Sequence, residues 1–363
     1  MKIKTICFFG IYDPGYSRNR VLMRGFKENE VAIIECNSRT PGVKKYLELI
    51  RKFLKIKKEN NLDAVFVAFP GQEIMFLARL LTRKPIIFDA FTSHYEGYIL
   101  DRTKYSKNSF RAKYYKFLDR YSCKLASLCL LDTEAHIDFF VNEFKLPRNK
   151  FLRVFVGTDN NTFSPDRKEK NNEKLLIHFH GHFIPLQGAE YIIRAAHILK
   201  NEDANFQIIG RGQEYLKVRN LAEKLGLKNI NWISNVPYEK LPGYINRADI
   251  CLGIFGDNQK ARAVIPNKAF EAVACAKPLI TADTLAISEA FEHGKNCWLV
   301  PAGDPKALAE AIVYLRDNHN MREKIASGGY KLFRTRMLPN ILTQQLIDLI
   351  KNKWTSNTTK IKA

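Results

Sequence analysis

With 363 residues, 46% hydrophobic and 26% charged, the chain has the composition of a globular protein with material for two cores, which excludes a disordered or collagen-like chain. Its 58 Lys and Arg against 37 Asp and Glu leave a net charge of +21, a field that attracts polyanions or an anionic membrane surface. Seven scattered cysteines, none in a C-x-x-C pair, argue against a disulfide framework or zinc site and for a reducing compartment. In chain order, the first apolar run, 3–9, ends at Gly10 and is too short for a signal-peptide core. It reads as a first β-strand, in a protein expected to be cytoplasmic. No run approaches the roughly 18 apolar residues of a spanning helix. Further β-rich runs at 31–36, 64–69, 85–88 and 128–131 lack polar alternation, as strands buried on both faces do. Amphipathic segments at 17–27, 43–59, 73–81, 110–127 and 134–144 separate them, the βαβ rhythm of a doubly wound α/β domain over 1–165.

The stretch 160–174 is polar, holds Ser164-Pro165 and reads as a linker. After it, strand-like runs at 175–179, 206–209, 230–233, 250–254, 278–281 and 297–300 alternate with helical patterns at 189–200, 215–225, 241–248, 266–274 and 305–317. A second α/β domain over 166–337 follows. The segment 338–363 holds a last helix with no strand after it, one that can pack back on the N-terminal domain.

Glycine turns stand at two strand ends of the second domain, Gly181-His-Phe-Ile-Pro-Leu-Gln-Gly188 and Gly210-Arg-Gly-Gln-Glu214. Open α/β sheets bind ligands there, where glycine lets backbone N–H groups approach an anion and a helix N-terminus adds about half a positive charge. Pro266 suits the first turn of a helix in which Lys268 could meet a phosphate and Glu271 could accept from sugar hydroxyls. The plainer alternative makes Lys268 and Glu271 solvated helix-surface charges. In the first domain, Gly10-Ile-Tyr-Asp-Pro-Gly-Tyr-Ser-Arg-Asn-Arg20 is either a polar turn or a ligand loop offering Tyr12, Asp13, Gly15, Ser17 and Arg18. Asp89 and His94 follow another strand.

The run 175–317 resembles the nucleotide-binding domain of the family 4 (group 1) glycosyltransferases. The resemblance rests on the two glycine turns, Val236-Pro-Tyr-Glu-Lys-Leu-Pro242, Ala248-Asp249, Pro266-Asn-Lys-Ala-Phe-Glu-Ala-Val-Ala-Cys-Ala-Lys-Pro278 and Glu292-His-Gly-Lys-Asn-Cys-Trp-Leu-Val-Pro301, in that order. Upstream, Leu131-Asp-Thr-Glu-Ala-His136, Val156-Gly-Thr-Asp159 and Phe163-Ser-Pro165 look like the family's approach to its interdomain linker.

The resemblance implies the GT-B fold, two facing Rossmann-like α/β domains with an interdomain cleft. It also implies transfer of a sugar from a nucleotide-diphosphate donor to a carbohydrate or lipid-linked acceptor, in cell-surface polysaccharide or glycolipid synthesis. Retention of configuration and independence of metal or other cofactor go with it, and no D-x-D loop stands against the latter. Glu271 matches the later of the family's two glutamates, the one expected to hold the nucleotide ribose. Donor contacts then fall to Gly181, Gln187, Gly210, Arg211, Gly212, Val236, Pro237, Arg262, Pro266, Asn267 and Glu271. Catalytic roles fall to Asp89, His94, His182 and Lys268, and acceptor contacts to the 10–20 loop. Three departures stand out. The earlier glutamate is Ala263, and the arginine and lysine of the first glycine loop are His182 and Gln187. An impaired GT-B scaffold protein and a sugar-nucleotide epimerase therefore stay open as alternatives.

Between Lys104 and Lys124 seven basic and six aromatic residues stand against Asp119 alone, and between Lys44 and Lys58 seven basic residues stand against Glu48. Such helices suit peripheral attachment to an anionic membrane, such as the inner face of the plasma membrane. No nucleic-acid module is recognisable.

Overall fold

The computed structural model describes residues 3–166 and 174–360; most of the expected linker, 167–173, lies outside them. The chain divides into two compact units, Met1–Val156 with Leu338–Ala363, and Gly157–Met337, so the division falls before the expected boundary at 165.

The first unit runs β1 (Thr5–Gly10), α1 (Ser17–Glu28), β2 (Ala32–Asn37), α2 (Lys44–Glu59), β3 (Ala64–Val67), α3 (Met75–Leu81), β4 (Ile86–Asp89), α4 (Phe110–Leu125), β5 (Leu128–Leu131), α5 (Glu134–Phe144) and β6 (Phe151–Arg153). The second runs β7 (Leu175–His180), α6 (Ala189–Ile198), β8 (Ala204–Ile209), α7 (Tyr215–Lys224), β9 (Ile230–Ile233), α8 (Leu241–Arg247), β10 (Ile250–Leu252), α9 (Gln259–Ala263), α10 (Asn267–Ala274), β11 (Leu279–Ala282), β12 (Trp298–Val300), α11 (Pro305–Asp317) and α12 (His319–Leu332). The final helix, α13 (Pro339–Lys360), belongs to the first unit. Each unit is a six-stranded parallel sheet covered by helices, the doubly wound class the apolar runs imply.

The strand orders are β2-β1-β3-β4-β5-β6 and β12-β11-β10-β7-β8-β9. Each reverses direction at one point, between β1 and β3 in the first sheet and between β7 and β10 in the second. Ligands of open parallel sheets settle at the carboxyl ends of the strands flanking such a point.

The runs without polar alternation are the buried central strands. Phe8 and Phe66, in register on β1 and β3, stack at 4.6 Å beneath Phe26 of α1, and each fully buried ring contributes roughly 1.5–3 kcal/mol. Leu346, Ile347 and Ile350 of α13 complete this core. A Cβ on Gly25 would stand 2.1 Å from the Pro339 carbonyl oxygen, so only glycine lets α1 and α13 approach this closely. Asn29 seals the contact, donating to Asn340 O and Thr343 Oγ1, both at 2.8 Å. Three elements escape the hydrophobic pattern. β6 has only three residues, α9 only five, and α12 buries just Ile325, Gly329 and Leu332. All seven cysteines are buried, and none forms a disulfide.

Candidate functional site

In the second unit the carboxyl end of β7 sits at the reversal of strand order, and α10 packs beside β10 across it. Both glycine turns are there, but the amide of each turn's first glycine is already used. Gly181 N donates to Ile209 O at 3.0 Å and Gly210 N to Ile233 O at 2.9 Å, because the parallel ladders run one residue beyond the strands. The turns supply room instead: a Cβ on Gly210 would stand 1.9 Å from Gly181 O. A further backbone source of positive charge is the start of α10. Pro266 is its N-cap rather than its first residue, with no side-chain cap over the first-turn amides of Asn267 and Lys268.

Lys268 and Glu271, one turn apart on α10, are not solvated charges. They are 4% and 3% exposed. The Lys268 ammonium lies 3.8 Å from the centre of the Phe179 ring and hydrogen-bonds Gln187 Oε1. Where the resemblance leads one to expect a lysine at 187, α10 thus delivers a lysine to the same place. Burial pushes the Lys268 amine well below its ordinary range, and Glu271 opposes this only in part. Burial likewise pushes Glu271 up to about 7, with Lys268 pulling the other way.

Glu271 has partners that the motifs did not reveal. Its Oε2 meets His180 Nε2 at 2.7 Å, His180 Nδ1 meets His178 Nε2 at 2.8 Å, and His178 Nδ1 meets Gln207 Nε2 at 2.8 Å. The only sequence signal was the spacing of His178 and His180 by two on a strand, which puts both rings on one face. Several other candidate site residues of this unit are more open. His182, Arg211 and Gly212 are exposed, Pro237 is exposed and Val236 half-buried. Arg262 is exposed and paired with Asp257, its Nε at 3.2 Å, so that cation is already neutralised. Ala263 is buried.

In the first unit the structure assigns Arg18 and Asp89 to each other. Both are fully buried; the guanidinium holds the carboxylate through Nη2–Oδ1 at 2.9 Å and Nε–Oδ2 at 3.1 Å, and gives Nη1 to Val154 O and Phe155 O. Burial pushes the Asp89 carboxyl up and Arg18 counters it. A pair with no exposed surface ties α1, β4 and the chain after β6 together, so the expected acceptor and proton-transfer roles are replaced by a positioning one. Tyr12 is buried too, donating to Glu35 Oε2 at 3.0 Å, and Ser17 is 7% exposed. Asp13 and Gly15 remain exposed, with Asp13 paired to Arg39 at 2.7 Å. His94 is half-buried between the rings of Tyr98 and Tyr115, its amide donating to Asp119 Oδ1 at 3.1 Å. Sequence reading missed the aromatic cluster at this sheet end, Tyr16 with Phe69 and Phe91 at 5.3 and 6.3 Å, because its three members come from separate loops. It also missed His136, buried between Asp132 at 2.7 Å and Glu96 at 3.2 Å. Burial opposes the charge on that ring, but the two carboxylates outweigh it and push it up to about 9.

A cavity of about 870 Å³ lined by Asp249, Lys277, Arg322 and Tyr330 lies elsewhere, at the amino ends of β10 and β11. Among the described residues no group of three or more His, Cys, Asp or Glu is arranged to hold a metal ion. No helix among them is long and apolar enough to cross a membrane.

Residues 160–332 match the family model described as glycosyl transferases group 1. A lipopolysaccharide core biosynthesis glycosyltransferase of Rhizobium meliloti is 27% identical over 173 residues, 47% of each chain. An uncharacterized glycosyltransferase of Methanocaldococcus jannaschii is 26% identical over 158 residues, 42% of this chain and 41% of that one. These matches thus span less than half of those relatives' length. One from Haemophilus influenzae, also an uncharacterized glycosyltransferase, is 24% identical over 80% of this chain and 77% of its own. Among solved structures, sucrose-phosphate synthase from Thermosynechococcus elongatus superposes with a TM-score of 0.76 at 12% identity, over 97% of this chain and 100% of that one. Anabaena HepE, solved with UDP-glucose, gives 0.71 at 16%, over 96% and 99%. The likeness shows the fold, GT-B.

Proposed function

We propose that this chain, which belongs through residues 160–332 to the group 1 glycosyl transferases, moves a sugar from a nucleoside-diphosphate donor to a carbohydrate or lipid-linked acceptor. The observation that carries the reading is the pair on α10, a buried carboxylate and a buried amine one turn apart at the reversal point of the second sheet. Glu271 accepts from the ribose hydroxyls. Lys268 and the first-turn amides of α10 face the diphosphate. As the bond from the sugar's anomeric carbon to the diphosphate breaks, negative charge grows on the leaving oxygen, and a buried ammonium stabilises it far better than a solvated one. Lys268 supplies the charge missing at Gln187, which supports an active enzyme over an impaired scaffold. It also supports a reaction that needs no divalent metal; retention of configuration rests on the family resemblance. UDP-glucose bound to HepE makes UDP a first donor nucleotide to try, with GDP beside it.

Glu271→Gln tests the reading. Hydrogen bonds to a charged group contribute about 1.5–3 kcal/mol, so affinity for UDP or GDP is expected to fall roughly 10- to 100-fold by calorimetry, with the melting curve little changed. Unchanged affinity, or no binding of either nucleotide to the parent at millimolar concentration, sinks it.

The acceptor is assigned to the first unit, and its lipid-linked form accords with that unit's surface. On α4 the side chains of Phe110, Tyr114, Phe117 and Tyr121 are exposed while Ala112, Leu118 and Cys123 are buried, so these aromatics face solvent together with the lysines. Phe76 of α3 stacks near Tyr121, and Leu80 stands exposed beside it on the same helix. Each basic residue near an anionic surface contributes about 1 kcal/mol. Vesicles containing anionic lipid are expected to float with the protein at low salt and release it at high salt, and Phe110→Ser with Phe117→Ser is expected to weaken flotation. Salt-insensitive or absent flotation rules the surface out.

A further inference from the structure

The chain from Gln207 to Glu271 has a direction, and a backbone carbonyl sets it. Gln207 places one amide atom 3.3 Å from Tyr244 O and the same atom 2.8 Å from His178 Nδ1. A peptide carbonyl can only accept, so that atom is the NH₂ nitrogen, and it donates to both neighbours. His178 Nδ1 is then an acceptor, which leaves the ring proton on Nε2 to be donated to His180 Nδ1. His180 must in turn carry its proton on Nε2 and donate it to Glu271 Oε2. Every proton in the chain points toward the carboxylate. Glu271 Oε1 makes no hydrogen bond among the described residues and is not sealed from solvent.

We propose that His180, backed by His178 and Gln207, is a positioning residue that commits one oxygen of Glu271 to the imidazole and leaves the other for the ribose hydroxyls of a nucleoside diphosphate. This rests on the role of Glu271 argued above. The consequence is a carboxylate held in one rotamer before the ligand arrives, so less ordering remains to be done on binding. The surroundings keep the chain intact. Lys268 on α10 and Arg247 on α8 are the cations that face it, Gln207 on β8 and the Tyr244 carbonyl on α8 are neutral, and the Cys275 thiol lies behind Glu271. Burial, joined by Lys268, pushes His180 down to about 3, and burial with His180, Lys268 and Arg247 pushes His178 down as well, so both rings stay neutral donors. Burial pushes Glu271 upward, and the Nε2–H bond works against this, since hydrogen bonding to a carboxylate favours its ionised form.

Two measurements test the proposal. In the free protein, nitrogen NMR of the histidine rings is expected to show His178 and His180 neutral and protonated on Nε2 throughout about pH 5 to 8. A proton on Nδ1 of either ring, or an imidazolium, overturns it without reference to any ligand. With UDP and GDP as probes, His180→Phe is expected to bind the preferred nucleotide about tenfold more weakly, with the acid limb of the affinity profile moved to higher pH, because Glu271 without its donor protonates more readily. His180→Gln, which can restore an N–H, is expected to recover part of both. Parent-like affinity and an unmoved acid limb in His180→Phe, alongside a loss in Glu271→Gln, overturns the positioning role while leaving the donor site standing. Parent-like binding in both overturns the site itself. Should His180→Phe not fold, Gln207→Leu keeps both rings and removes only the anchor. It is expected to show the second tautomer by NMR and the same shift in reduced size, and a single tautomer with unshifted binding counts against the proposal.

Discussion

Lys268→Met is expected to lower the rate of sugar transfer by about 10²- to 10³-fold without loss of stability. Removing a donor aimed at developing charge costs about 2.7–4 kcal/mol of barrier, and of the nearby candidates Arg262 is paired with Asp257 and Gln187 brings only a dipole. Stability moves the other way. Burial already disfavours the charged amine, so an apolar side chain of similar volume removes that desolvation cost. The pH dependence has a definite sign. Burial lowers the amine's proton affinity in the folded chain, so between its folded value and about 10.5 the unfolded chain binds the extra proton, and stability rises with pH in that window. The methionine variant lacks that rise. Glu271, raised to about 7, acts oppositely in a lower window, contributing stability that is lost as pH rises through 7. Urea midpoints across pH separate the two. A diphosphate beside Lys268 favours the protonated amine, so transfer is expected to weaken on the alkaline side. A variant with parental turnover would remove Lys268 from the mechanism.

Arg18→Leu is expected to destabilise the first unit by about 3–5 kcal/mol, the largest stability effect of any change considered for it. The substitution strands Asp89 at zero exposure and leaves Val154 O and Phe155 O without their donor. Adding Asp89→Leu is expected to recover most of the loss, because removing both charges avoids the unpaired one. If Asp89 instead moved protons during catalysis, Asp89→Asn would reduce turnover with little effect on unfolding; the buried pairing predicts the reverse. Equilibrium denaturation of the single and double variants decides it, and a loss below about 1 kcal/mol for Arg18→Leu is incompatible with a structural pair.

How much of this was legible beforehand depends on the range of the interaction. The two α/β units, their central strands and the helix carrying Lys268 and Glu271 are written locally, as apolar runs of strand length, 3.6-residue periodicity and glycines at strand ends. The shortfalls have equally physical causes. The three-residue β6 and the sparsely apolar α12 carry too little pattern to register. The amides of Gly181 and Gly210 looked open to a ligand because only the ladders β7·β8 and β8·β9 show that they are used. Asp89 and Arg18 looked like reactive groups because a sequence shows charge but not who neutralises it.

By itself, then, the sequence determined the architecture and which helix holds Lys268 and Glu271, since each depends on residues a few positions apart. Only the tertiary structure decided the partners: Arg18 with Asp89 across 71 residues, Lys268 with Gln187 across 81, and His180 with Glu271 across 91. The last two pairings follow from strand order, which sets β7 beside β10 with α10 packed against β10. No local periodicity encodes that adjacency, because it is the joint outcome of burying both faces of the whole sheet.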